Sequence, residues 1–202
     1  MPNGRCGVYW EVGAGWVQGA HLLDMGWRHA EHKAFPSAML EPLADFNYFK
    51  GYFVEPSARQ IVGLEDAVGW HERAVIVQAA VAGSNGLRPA EIINKGMANV
   101  DRGPNWVEYN KENYADVQSV WMATVSLDEL ALKLEPPHLL RVDIEDMEVE
   151  ALGAYSFDPA PRVVAVDHHH HNEAAVREIL EGHGYRVFAH PGTDEDLIGV
   201  LE

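Results

Sequence analysis

The chain has 202 residues, enough for one domain with a full hydrophobic core and short for two. Its 47% hydrophobic and 23% charged residues exclude a chain too polar to collapse, and 31 acidic against 15 basic residues give a formal charge of −16. That charge argues against nucleic acid and anionic membrane surfaces as partners, and with a lone Cys6 and no stretch near the ~18 apolar residues of a membrane span it predicts a soluble, cytoplasmic protein.

GVYWEV followed at once by GAG reads as a buried first strand opening into a tight turn, with a helix expected from Val17 to about His32. Pro36 and Pro42 interrupt the chain next, so residues 33–50 read as an insertion. GYFVEP is a second strand, SARQIVGLEDAV a helix capped by Ser57, and AVIVQAAV a third strand. Residues 83–116 are polar and rich in Gly, Asn and Pro, and read as a long substrate-side loop in which Trp106 could wall a pocket. VQSVWMATV is strand-like, SLDELALKL is a capped helix stopped by Pro136 and Pro137, and HLLRVDI is the fourth strand. A helix over EDMEVEALGAY, a fifth strand PRVVAVD and a helix over NEAAVREILEGHGY follow. RVFAH and LIGVL, joined by PGTDED, close the chain as an antiparallel hairpin. The predicted fold class is α/β: a single domain over 1–202, with a doubly wound, mostly parallel sheet, helices on both faces and the C-terminal hairpin.

In such a sheet ligands sit beyond the carboxyl ends of the strands, near the switch point. At the first strand end, Gly13 and Gly15 would let backbone approach a ligand and Glu11 could hold a cationic amine, as at the amino-acid end of S-adenosylmethionine. Glu55, at the second, could accept hydrogen bonds from both ribose hydroxyls, and Gln78, at the third, would lie nearest an adenine. The fourth and fifth strand ends bring Asp143 and Glu145 towards Asp167 and His168, the first of four consecutive histidines. Carboxylates and imidazoles together suit proton transfer from an acceptor hydroxyl, or a divalent metal held by Asp143, Asp167, His168 and His169. Side chains alternate along a strand and spread around a turn, so at most two of the histidines are expected in one site.

The motifs VYWEVGAG, YFVEPSARQIVGLEDAV, VIVQAAVAGSNG, VSLDELALKL and LLRVDIEDMEVEAL resemble the FkbM-type methyltransferases over roughly three quarters of the chain, the order and spacing following the family closely from Tyr52 onward. The resemblance implies a Rossmann-like class I methyltransferase fold whose last strand enters antiparallel. It implies S-adenosylmethionine as cofactor at Glu11, Gly13, Gly15 and Glu55, and Asp143 and Glu145 at the catalytic mouth. The implied acceptor is the hydroxyl of a small molecule such as a sugar or natural product. By analogy with metal-assisted sugar O-methyltransferases, Asp143 and Asp167 stand where a divalent metal would be bound. The sequence departs from the family pattern at Val17, where a further glycine is usual, in the longer stretch before Glu55, at Asp146, where glycine is usual, and in the histidine run. Two alternatives share these features: a nicotinamide-dependent oxidoreductase, against which Gly13, Gly15 and Gly19 fail the regular G-x-G-x-x-G spacing, and a non-catalytic nucleotide- or metal-binding module. Homo-oligomerisation is left open.

Overall fold

The structure, a computed structural model, describes residues 5–15, 23, 41–93, 97–100, 117–168, 172–190 and 196–202. Eleven strands and four α-helices are found among them. The main sheet contains β1 (Cys6–Val12), β2 (Tyr48–Val54), β3 (Ala74–Val77), β8 (Leu139–Val142), β9 (Val163–Asp167), β10 (Tyr185–Ala189) and β11 (Asp196–Leu201). Its order is β10-β11-β9-β8-β1-β2-β3. Pairs from β3 to β9 are parallel, while β11 lies antiparallel between β9 and β10, as the closing hairpin predicts.

Alternation along these strands makes two cores. Trp10, Val12, Leu140, Val142, Val164 and Val166 face one way and pack with α2 (Leu127–Lys133), α3 (Glu148–Gly153) and α4 (Glu173–Gly182) through Leu127, Leu152 and Leu180. Tyr9, Phe53, Leu139, Val163, Ala165 and Ile198 face the other way and meet α1 (Ala58–Val68) through Leu64 and Val68. Strands covered on both faces read as continuous apolar runs, which is why AVIV, LLRV and VVAV are visible in sequence. The caps behave as written: Ser57 Oγ accepts from Gln60 N and Ser126 Oγ accepts from Glu129 N, fixing the starts of α1 and α2.

Three expectations change. The second strand starts at Tyr48, so residues 48–50, read as insertion, belong to the sheet. AVIVQAAV is not one strand: pairing stops at Val77, and Ala80–Val81 form β4 in a second sheet. That sheet, ordered β4-β7-β5-β6, also contains β5 (Gly86–Ile93), β6 (Met97–Val100) and β7 (Val117–Val125). The stretch 83–116, read as a loop, therefore holds two strands. Gly86 and Pro89 within β5 disguise it, but an antiparallel partner in β7 satisfies its backbone groups over eight register positions. The expected helix over 17–32 lies outside the described residues apart from Leu23, as do Trp106 and His169. Among the described residues no helix is long and apolar enough to cross a membrane.

The second sheet sits above the carboxyl ends of β3 and β8. Ala80, Ala82 and Ala90 share a small core with Met147 at the start of α3, joined by Ile144 from the turn after β8. Arg88 grips Glu150 of α3 in a two-pronged pair, Nη2–Oε1 2.6 Å and Nη1–Oε2 2.9 Å, and Glu150 Oε1 also accepts from Gly83 N at 3.0 Å.

Candidate active site

The sheet order turns back at β1, which has β2 on one side and β8 on the other, and this is where Gly13 lies. Its amide and that of Ala14 donate to Val54 O at 2.8 and 3.2 Å, while Asp143 N donates to Val12 O at 2.9 Å. The ends of β1, β2 and β8 are thus laced together. Gly13 has φ +84°, and a Cβ there would lie 1.6 Å from Asp143 O. Only glycine satisfies both conditions.

Glu55, 5% exposed, turns back towards this loop. Its Oε1 accepts from Ser57 N at 2.7 Å, it takes a backbone hydrogen bond from Gly15, and a Cβ on Gly15 would be 3.5 Å from its Oε2. Burial pushes its carboxyl up to about 7, with the charge of Asp143 adding to the effect. Gln78 follows β3 directly and, with Pro56, Ala58, Ile92, Trp121 and Met122 among its neighbours, lines a cavity of about 400 Å³. The predicted positions Gly13, Gly15, Glu55 and Gln78 therefore form one continuous margin running from β1 through β2 to β3.

Glu11 is enclosed rather than open: it is 1% exposed and its Oε2 accepts from Tyr9 OH at 3.0 Å. Burial, then the charge of Glu11, holds the Tyr9 phenol well above its ordinary range. Beside Glu11 in register lies Arg141, 3% exposed, whose Nη1 donates to Asp143 Oδ2 at 3.0 Å. Its Nη2 is 3.8 Å from Asp196 Oδ1 and 4.0 Å from Asp167 Oδ2. Although burial opposes its charge, the acids around it, Asp143 foremost, raise the guanidinium further above its ordinary range. Sequence reading overlooked Arg141, Tyr9 and Asp196. The available signal was a cation inside the apolar run LLRV, since a charge buried on both sides of a sheet requires partners.

Arg141 corrects the metal expectation. Asp143 and Asp167, assigned to a divalent cation, instead flank one guanidinium at distances of 3.0 and 4.0 Å. A metal needs its oxygens at about 2.0–2.6 Å and would share this space with a fixed positive charge. Asp143 and Asp167, as placed, do not fit one. Among the described residues no group of His, Cys, Asp and Glu is arranged to hold a metal ion. His168 is 2% exposed, so it too is enclosed, and His169 lies outside the described residues.

Glu145 and Asp146 follow in the turn between β8 and α3, both left-handed at φ 57° and 77°. Asp146 stands where the resemblance expects glycine, and its backbone adopts the conformation that glycine favours. Asn172 Nδ2 donates to its Oδ1 at 3.3 Å. The turn is held from below by Glu148, whose Oε1 accepts from Ile144 N at 2.8 Å. Glu148 is 1% exposed, and burial pushes its carboxyl up to about 7, Asp146 and Asp143 contributing. Consecutive left-handed residues at a strand end are the kind of strain that collects at functional sites. The strain leaves Glu145 partly exposed at the mouth, whereas Asp143 is tied to Arg141.

A family model described as methyltransferase FkbM domain matches residues 29–187. Among solved structures, the chain is similar to methyltransferase FkbM from Methylobacillus flagellatus KT, with a TM-score of 0.52 and 12% identity over 97% of this chain and 44% of that one. It is also similar to precorrin-6y C5,15-methyltransferase from Geobacter metallireducens GS-15, with a TM-score of 0.46 and 12% identity over 97% of this chain and 80% of that one. The chain thus spans less than half the length of the first of these proteins. No curated protein matches it.

Proposed function

Because this chain belongs to the methyltransferase FkbM domain family, we propose that it binds S-adenosylmethionine and transfers the methyl group to a hydroxyl oxygen of a small-molecule acceptor. Its fold is the α/β class I methyltransferase-like fold. The observation that carries the proposal is the continuous margin at the switch point, where Gly13 with φ +84°, the Gly15 backbone and the buried Glu55 carboxyl meet. A ribose held by Glu55 would leave the methionine end over Gly13 and Gly15 and direct the base towards Gln78 and the cavity beside it. Family membership favours the sulfonium donor over a nicotinamide.

In the transfer the acceptor oxygen attacks the methyl carbon in line with the sulfur. The carbon–oxygen bond forms as the carbon–sulfur bond breaks, the sulfonium becomes a neutral thioether, and the hydroxyl proton leaves to a base. We assign that proton to Glu145, which the left-handed turn holds at the mouth with part of its surface exposed. Asp143 and Asp167 shape the mouth through Arg141, and His168 is enclosed. No metal takes part in this scheme. The acceptor is a small molecule, with a chain of formal charge −16 repelling polyanions.

The test is calorimetric titration with S-adenosylmethionine and S-adenosylhomocysteine. Wild-type protein is expected to bind both, and Glu55→Ala to weaken both about tenfold or more, the equivalent of losing one or two hydrogen bonds to a charged acceptor. Unchanged affinity in Glu55→Ala would remove the ribose from Glu55, and absence of binding to wild type would remove the cofactor.

A further inference from the structure

Arg141 is fully enclosed, yet it reaches the ends of four strands. It leaves β8, lies beside Glu11 of β1 in register, donates to Asp143 just beyond β8, and faces Asp167 of β9 and Asp196 of β11. Asp167 and Asp196 are themselves register partners across β9 and β11. One buried guanidinium therefore sits among partly exposed acids whose like charges would otherwise crowd together at the mouth. Carboxylates gathered in that arrangement repel one another, and a nearby cation, carried by the chain or taken from solution, offsets the repulsion. We infer that Arg141 is this mouth's built-in counter-cation, replacing a divalent metal, and that it acts as a positioning residue by fixing Asp143 and Asp167 beside the reacting groups.

The inference rests on the methyltransferase reading for what the mouth does, but the geometry of the cation stands apart from it. A guanidinium presents several donors in a rigid plane, so it can address acids from several strands at once. The alternative, a divalent ion coordinated directly at the place of Arg141 Nη2, would need the Asp167 and Asp196 oxygens, now 4.0 and 3.8 Å from that atom, drawn inward by more than about an ångström. Because the chain supplies the charge, the mouth is complete as soon as the strands pair.

The experiment is a Mn²⁺ titration followed by electron paramagnetic resonance of the free ion, on wild type, Arg141→Lys, Arg141→Ala and Asp143→Asn. Wild type and Arg141→Lys, which keeps the charge, are expected to hold no Mn²⁺ that Asp143→Asn would release. Arg141→Ala removes that built-in charge and is expected to gain one Mn²⁺ per chain. A folded Arg141→Ala that gains none overturns the replacement. So does a wild-type chain holding one Mn²⁺ ion that Asp143→Asn releases, and this arm decides even if Arg141→Ala does not fold. In parallel, S-adenosylhomocysteine affinity of wild type is expected to stay within twofold when a chelator is added, and a tenfold loss would overturn the inference. The Mn²⁺ titration needs no cofactor, so its result is separate from whether the cofactor binds.

Discussion

Gly13→Ala puts a Cβ 1.6 Å from the carbonyl oxygen of Asp143, on a backbone at φ +84° that alanine resists. Strain and collision act together there, and we expect a loss of more than about 3 kcal/mol in urea unfolding, or no folded protein. Gly63 makes the opposite case. It lies inside α1, exposed, with nothing within 4 Å of an added Cβ, so Gly63→Ala is expected to raise stability by about 0.5–1 kcal/mol in the same assay. A loss at position 63, or tolerance at position 13, would contradict this account. At this scale much of the site was legible. Glycine after a strand and an acid at the next strand end are local signals, and Gly13 and Glu55 occupy the predicted margin. Arg141 was not legible in the same way, because its meaning depends on Glu11, Asp167 and Asp196, which come from three other strands.

Elements such as LLRV, VVAV and the segments capped by Ser57 and Ser126 were read correctly, since their stability is declared locally by pattern and cap, whereas AVIVQAAV hid a break between two sheets. The second sheet escaped because β5 carries Gly86 and Pro89 and is stabilised by its pairing with β7, some thirty residues away. What docks this sheet onto the first is the Ala80, Ala82, Ala90 and Met147 core together with the Arg88–Glu150 pair. Arg88 is mostly covered, so the pair should contribute more than an exposed one, about 1 kcal/mol. Arg88→Ala is therefore expected to raise amide hydrogen exchange across β5 and β7 by roughly fivefold while leaving β1 and β8 unchanged. Equal acceleration in both sheets would mean that they open as one unit, and no acceleration that the pair does not dock them.

At the scale of the whole molecule, two buried carboxyls make stability decline as pH rises from about 4.5 to about 7, against a smaller opposite contribution from His138, whose imidazole is held below its ordinary value by burial. Glu55 and Glu148, both almost fully buried, have carboxyls raised from 4.5 to about 7 in the folded chain. Between those values the folded state binds more protons than the unfolded state, so unfolding free energy falls with pH, by roughly 3 kcal/mol per group as an upper figure. Urea midpoints measured from pH 5 to pH 8 should show that decline, and Glu148→Gln, which retains an acceptor for Ile144 N, should flatten about half of it. A slope indifferent to Glu148→Gln would place the titration elsewhere. The strand order has a consequence of another kind. β11 is later in sequence than β10, yet it is the piece that joins β10 to β9. During synthesis on the ribosome β10 therefore emerges before its pairing surface exists, and β9 keeps an open edge until residues 196–201 arrive. The sheet is locked from the inside by a strand made after both of its neighbours, so the nascent chain must shield two waiting edges before it can close.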